Sequence, residues 1–250
     1  MPLTIVTDIN SWCLLSLAAF CIGISKAGFS GASIISVFLF AEVLGAKASV
    51  GFALPMLIMA DLTVYPMFRK YASWKAVLPL IWPACIGLVI GFTILSRADD
   101  EAMRKAIGII ILLMVTIQLL SRFKPEQFKA IVSTRKAGFT AAITGGIATT
   151  LANAAGPVLK IYLVSLRMEK MQLLGISARF FLLINIIKLP FSSSLNLINT
   201  QTIIGNIILS PIIALGVYAG FRLVKITPQK LFESLVIIFA IFAGLGLYFY

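Results

Sequence analysis

Long apolar runs in this sequence are interrupted by a few polar side chains: Lys26, Asp61, Asn153, Lys160, Arg179, Asn185 and Lys188. An ionised group removed from water is costly unless it is paired or hydrogen-bonded, so each position is a candidate for binding or charge compensation. Asp61 has too short a side chain to reach water from the middle of its run. That marks it as a counter-ion or coupling site, with a structural ion pair to Lys26 or Lys188 as the alternative. Lys26 and Lys160 each neighbour a break in an apolar run, and a short reach to the rim is the alternative for both. Arg179 and Lys188 lie nine residues apart near opposite ends of one run, hence on opposite faces of a helix. Snorkelling suits Arg179, whereas Lys188 fits either role equally. Asn153 could hold a ligand or cap the half-helix that follows it.

What is missing narrows the chemistry. The chain has no His, the commonest general base and a frequent metal ligand. No nucleophile stands with a base and an orienting group. Cys13, Cys21 and Cys85 form no close-spaced pair and are expected to be buried packing thiols. Neither enzymatic activity, nor a cofactor, nor a metal site is expected.

The elements that must position these residues follow from composition. Of 250 residues, 60% are hydrophobic and 12% charged, with a mean hydropathy of +1.04. Soluble domains are nearer half apolar and a quarter charged, so the fold class is an all-α polytopic membrane protein. Runs of helical length without strict alternation exclude an outer-membrane barrel. A net charge of +12 here reflects loop Lys and Arg that set orientation, not nucleic-acid binding. No basic segment precedes the first apolar run, which argues against a cleaved signal peptide.

Residues 137–166 are too long for one ordinary span, and Asn153-Ala154-Ala155-Gly156-Pro157 sits in their middle. Pro and Gly favour a break there, giving two half-helices. Irregular backbone at membrane depth persists only where it is buried in protein or lines a polar cavity, so the break is a candidate binding site. Residues 12–44, interrupted at Ser25–Gly31, form a second such element. Single spans are expected at 48–68, 76–96, 106–121, 173–192, 202–221 and 232–250.

A basic connector at 122–136 divides the chain into repeats at 1–121 and 137–250. Gly51, Asp61 and Pro66 recur as Gly175, Asn185 and Pro190 after 124 residues, and Gly28 and Pro83 recur as Gly156 and Pro211 after 128. The third span of each half carries a small-xxx-small pair, Gly87/Gly91 and Gly216/Gly220. If the broken elements enter and leave on one side, the connector shares a face with Arg69, Lys70, Lys75, Arg167, Lys170, Arg222, Lys225 and Lys230. The other face keeps only Lys47, Arg97, Arg104 and Lys105. Positive loops stay inside, so the connector is expected in the cytoplasm and 137–166 to be re-entrant from it. Whether 12–44 turns back or crosses is left open; if it turns back, the repeats are inverted.

Ser25-Lys26-Ala27-Gly28-Phe29-Ser30-Gly31 resembles the first glycine loop of the TauE/SafE sulfite-exporter family. Leu54-Pro55-Met56-Leu57 with Asp61-Leu62 and Tyr71, Trp74-Lys75 is similar to its second-span signature. Ala152-Asn153-Ala154-Ala155-Gly156-Pro157 with Ile161-Tyr162-Leu163, and Phe180-Phe181 with Asn185 and Lys188-Leu189-Pro190-Phe191, resemble its second-half loop and following span. Ala27 and Ser30 replace common loop glycines, and Ile176-Ser177 stands where Gly-Thr is common. The resemblance implies a bacterial inner-membrane permease for small anions such as sulfite, organosulfonates or carboxylates.

The expected site lies near mid-membrane between the two breaks, with Lys26, Gly28, Asn153, Gly156, Asn185 and Lys188 toward substrate and Asp61 as coupling residue or counter-ion. Export of a monovalent anion down an inside-negative potential needs no coupling ion. A proton-coupled carboxylate importer and a non-transporting assembly subunit are the alternatives. The partners expected are the anion and the bilayer, and homodimerisation is left open.

Overall fold

The computed structural model describes residues 8–29, 31–123, 134–166, 168–226, 237–238, 241–242 and 244–249. The described residues are helical wherever they are regular. In order come α1 (Ile9–Lys26), α2 (Ala32–Leu44), α3 (Ala46–Phe68), α4 (Trp74–Arg97), α5 (Asp100–Phe123), α6 (Arg135–Ala152), α7 (Gly156–Ser165), α8 (Lys170–Ser194) and α9 (Thr200–Ile226). Among the described residues, six segments are long and apolar enough to cross a membrane: Ile9–Lys26, Ala46–Tyr71, Trp74–Arg97, Asp100–Ser121, Met171–Ser194 and Thr200–Leu223. The chain is therefore a multi-pass helical membrane protein. Most of the connector at 122–136, and much of the span expected at 232–250, lie outside the described residues.

Both expected interruptions are present. The first falls between Lys26 and Ala32, where Gly28 has φ +135°, a value that L side chains rarely adopt. The second falls at Asn153–Ala155, where Asn153 takes the left-handed conformation (φ 52°, ψ 27°), its N–H donates to the Thr149 carbonyl, and the Ala154 N–H reaches back to the Ala148 carbonyl. Asn153 thus closes the first half-helix and does not open the second. Asn is one of the few non-glycine residues that tolerate this geometry. Pro157 follows in the first turn of α7, where its missing N–H leaves no bond unmade.

α3 and α8 form the centre and run antiparallel. Gly51, early in α3, packs on Leu197 just beyond α8, and Gly175, early in α8, packs on Phe68 and Ala72 at the end of α3. Around this pair, α4 packs on α6 and α1 on α9, the two most extensive helix pairings. Each is a parallel crossing of bare backbones. Gly87 sits on Ile143 and Gly146 while Gly91 meets Thr150; Gly216 sits on Phe20 and Gly23 while Gly220 meets Ile24 and Ala27. Without a hydrophobic drive between helices in lipid, such close approach supplies the van der Waals contact that joins them. The faces left over are lipid-like: Leu78, Trp82, Ile86 and Val89 on α4, and Ile203, Ile207 and Leu215 on α9, are exposed.

The turns sort to two ends. Lys47 donates its backbone N–H to Asp100 (2.9 Å) and its Nζ to the Ala98 carbonyl (2.7 Å), tying the α2–α3 turn to the α4–α5 turn. Residues 196–202 close a common hollow with Lys47 and Asp100. At the opposite end, Arg179 donates to the Arg69 carbonyl and joins α8 to the α3–α4 turn.

A methyl group at Gly146 would collide with the Ala84 carbonyl, whereas at the adjacent Gly145 the nearest atom is Ala155 Cβ at 3.8 Å. Gly146→Ala is expected to destabilise by ~1–3 kcal/mol, the usual range for overpacking, and Gly145→Ala to leave stability unchanged. Thermal unfolding in detergent, followed by fluorescence size exclusion, distinguishes them; equal behaviour of the two variants would refute the close crossing.

Candidate functional site

The α1–α2 and α6–α7 breaks face one another across the α3–α8 crossing, and the polar side chains of the sequence gather there. Lys26, the last residue of α1, places Nζ 2.8 Å from Asp61 Oδ1. Asn185 donates to the other Asp61 oxygen at 2.7 Å. Asp61 is 1% exposed and Lys26 11%. Of the two partners open to Asp61, the structure selects Lys26, whose ammonium also lies 4.5 Å from the centre of the Phe181 ring. A desolvated cation over an aromatic face is attracted by the ring quadrupole, so this contact holds the ammonium from a second side.

Lys188 belongs to a second network. It is fully buried and donates to the Thr149 carbonyl (2.6 Å), Thr149 Oγ1 (3.3 Å) and Asn153 Oδ1 (2.6 Å). Three acceptors match the three donors of an ammonium group. Asn153 passes the connection on by donating from Nδ2 to the Val50 carbonyl of α3 at 3.0 Å. Pro55 lies in the following turn of α3 and cannot donate to the Gly51 carbonyl, which loosens the ladder there. The neighbouring Phe52 carbonyl likewise takes a side-chain amide, that of Asn206 (3.1 Å).

A cavity of about 60 Å³ opens between these networks. One water needs roughly 10–15 Å³ on this measure, so the space suits a few waters or one small solute. Its wall includes Lys26 and Asp61, Gly28 and Ser33 of the first break, Asn153 and Gly156 of the second, and Asn185. Lys160 lines it too. From the crossing it extends along Val64 of α3 and Leu173, Leu174 and Ser177 of α8, toward the end that carries the α3–α4 turn. The first turns of α2 and α7 abut it through Ser33 and Gly156. Helix N-termini present free N–H groups and partial positive charge, which favours anions.

Of the expected site residues, Lys26, Gly28, Asn153, Gly156, Asn185 and Asp61 line the cavity, and Lys188 stands one layer behind, holding Asn153 and Thr149. Ala178 shares the cavity face of α8 with Asn185, but Lys188 does not. Arg179 does reach back toward the near end of α8, yet it ends on protein: it is 5% exposed, bonds the Gly175 and Arg69 carbonyls, and lies over Tyr65 and Trp74. Among the thiols, Cys21 is buried as expected, whereas Cys13 is on the outer surface and Cys85 half-buried. Residues not expected in the site also line the cavity: Ser25, Ser33, Thr149, Ser177 and Phe181. Ser177 and Phe181 were readable as the i−8 and i−4 neighbours of Asn185, on one helical stripe.

The family model for the sulfite exporters TauE/SafE matches residues 15–247. The chain belongs to this family. No curated protein and no solved structure gives a significant match. Membership of the TauE/SafE family makes the chain a membrane transporter of the sulfite-exporter type, in keeping with the six membrane-length apolar helices among the described residues.

The Lys26–Asp61 pair is nearly dry, so removing one partner strands the other charge. Asp61→Leu is expected to cost ~3–5 kcal/mol, and Lys26→Met with Asp61→Leu to recover most of that loss. Thermal unfolding of the single and double variants in detergent checks the pattern. Additive losses would mean that the two groups do not act as a pair.

Proposed function

We propose that the chain exports or facilitates the passage of small anions, such as sulfite, organosulfonates or related carboxylates, through the cavity between the two breaks. The observation that carries this reading is the charge balance of the site. Lys26 and Lys160 line, and Lys188 backs from one layer behind, a space whose single carboxylate, Asp61, is already held by Lys26 and Asn185. An incoming anion competes with Asp61 for the Lys26 ammonium and takes the backbone N–H at Gly156, in the first turn of α7. Asp61 is the counter-ion that keeps Lys26 neutralised between turnovers. Asn185 Oδ1 has no hydrogen-bond partner among the described residues, which leaves an acceptor for water or for the proton of a singly charged oxyanion. Asn153, shaped by Lys188, sets the second-half wall. The membrane potential moves such an anion outward with about 2.3 kcal/mol per charge per 100 mV, so no coupling ion is required.

The same reading covers organisation and placement. The chain is built of two inverted repeats, each a broken element followed by three spans. Supporting this, the packing pairs recur with the halves exchanged. Gly51 on Leu197 answers Gly175 on Ala72; Gly87 on Ile143 and Gly146 answers Gly216 on Phe20 and Gly23; Gly91 on Thr150 answers Gly220 on Ala27. Asp61 meets Asn185, its own counterpart. Because α3 and α8 are antiparallel, the axis relating the halves lies in the membrane plane. Both broken elements are then re-entrant from opposite faces, and the end carrying Arg69, Lys70 and the connector is cytoplasmic in an inner membrane.

In proteoliposomes, efflux of labelled sulfite should proceed without a proton gradient, and Lys26→Gln should slow it about tenfold, the factor one charge-assisted hydrogen bond is worth. Unchanged efflux in Lys26→Gln would remove Lys26 from the path. A requirement for a proton gradient would move Asp61 from counter-ion to proton carrier.

A further inference from the structure

The cavity has a shut twin. On the other side of the α3–α8 crossing, a space of about 10 Å³ lies between α2, α3 and the α6–α7 break. Its wall on α3 is Ser49, Val50, Ala53 and Leu57. Advanced by the 124 residues that take Asp61 to Asn185, these positions become Leu173, Leu174, Ser177 and Phe181, all of them in the wall of the open cavity. The twin therefore occupies the corresponding place in the other half, at about a sixth of the volume, too small for more than a single water. It extends toward the end carrying Lys47 and Asp100, opposite to the open one. Ile22, Leu57 and Asn153 belong to both walls, so the two spaces meet at the crossing.

One polar chain spans the shut side. Lys188 fixes Asn153 Oδ1, and Asn153 Nδ2 bonds the Val50 carbonyl, joining the second break to the first half of α3. We propose that Lys188–Asn153–Val50 is the latch that keeps the twin closed, and that its release opens the cavity to the opposite face while the α8 side shuts. Lys188 is on this account a positioning residue that acts through Asn153, not a ligand of the anion. Its ammonium has full acceptor satisfaction inside the protein and no place in the cavity wall, which an anion ligand would need. Asn153 borders both spaces, so an anion that draws its amide away from Val50 loosens the latch as it binds. The inference rests on the transport reading and on the exchange of halves given above.

The test uses the full chain in proteoliposomes with Cys13, Cys21 and Cys85 replaced by Ser, and a reporter thiol at Ala53→Cys or at its counterpart Ser177→Cys. With Lys188 in place, a membrane-impermeant maleimide should label Ser177→Cys from the connector side and leave Ala53→Cys unlabelled from either side. Lys188→Met should raise the labelling rate of Ala53→Cys about tenfold, from the opposite side only, the factor expected for one charge-assisted bond. Sulfite on both sides should raise the same rate with Lys188 intact, which keeps the test valid if Lys188→Met does not fold. Ala53→Cys that stays silent with sulfite present and flux measurable, or that labels from the connector side, overturns the latch and leaves the transport reading standing. Labelling that switches sides without any anion flux does the reverse.

Discussion

Two ammonium groups and a carboxylate sit where water is scarce, and the arrangement of the inner helices follows from how they are satisfied. Withdrawing an ion from water costs several kcal/mol even after relaxation, so none of the three can be placed without partners. Lys26 ends α1 and meets Asp61 of α3; Asn185 of α8 takes the second carboxylate oxygen. Lys188 of α8 reaches α6 and, through Asn153, returns to α3. These bonds join every element that borders the cavity except α2 and α7, whose first turns complete the wall. The interruptions are tolerated for the same reason. Backbone released by a broken helix must find acceptors or water, and here it borders a polar hollow instead of lipid.

Packing and site are consequently one problem. α4 and α9 carry no charge into the cavity, yet their glycine crossings with α6 and α1 fix the depth at which each break lies. A bulkier residue at Gly146 or Gly23 would push a half-helix outward and move Asn153 or Lys26 with it. Glycine at these crossings thus sets the geometry of the cavity wall from about one to two helical turns away.

Much of this was legible in the sequence because its signals are strong and local. Gly28 and the Asn153–Pro157 cluster interrupt apolar runs too long for one span, and the interruptions lie there. The short side chain of Asp61 in mid-run required a partner. The sequence could not say which lysine supplied it, since Lys26 and Lys188 are both in apolar surroundings and the choice depends on helix rotation. It likewise could not show that Asp61 touches Asn185, because recurrence at a fixed interval does not reveal contact. Arg179 was read as reaching for water, but Tyr65, Trp74 and two carbonyls receive it first, partners contributed by segments over a hundred residues earlier or by its own preceding turn. Lys188 resisted reading for a related reason: a side chain that supports another from behind leaves no pattern in composition or spacing.

The parallel crossings also impose an order on biogenesis. Gly23 of α1 waits for Gly216 of α9, nearly two hundred positions downstream, and a ribosome adding ~5–20 residues per second needs about ten to forty seconds to reach it. For that interval α1 lacks its α9 partner, whereas Asp61, which emerges soon after Lys26, is already present to pair with that lysine. The ion pair in the cavity wall thus lies within the first quarter of the chain and does not wait for the later helices to supply a partner.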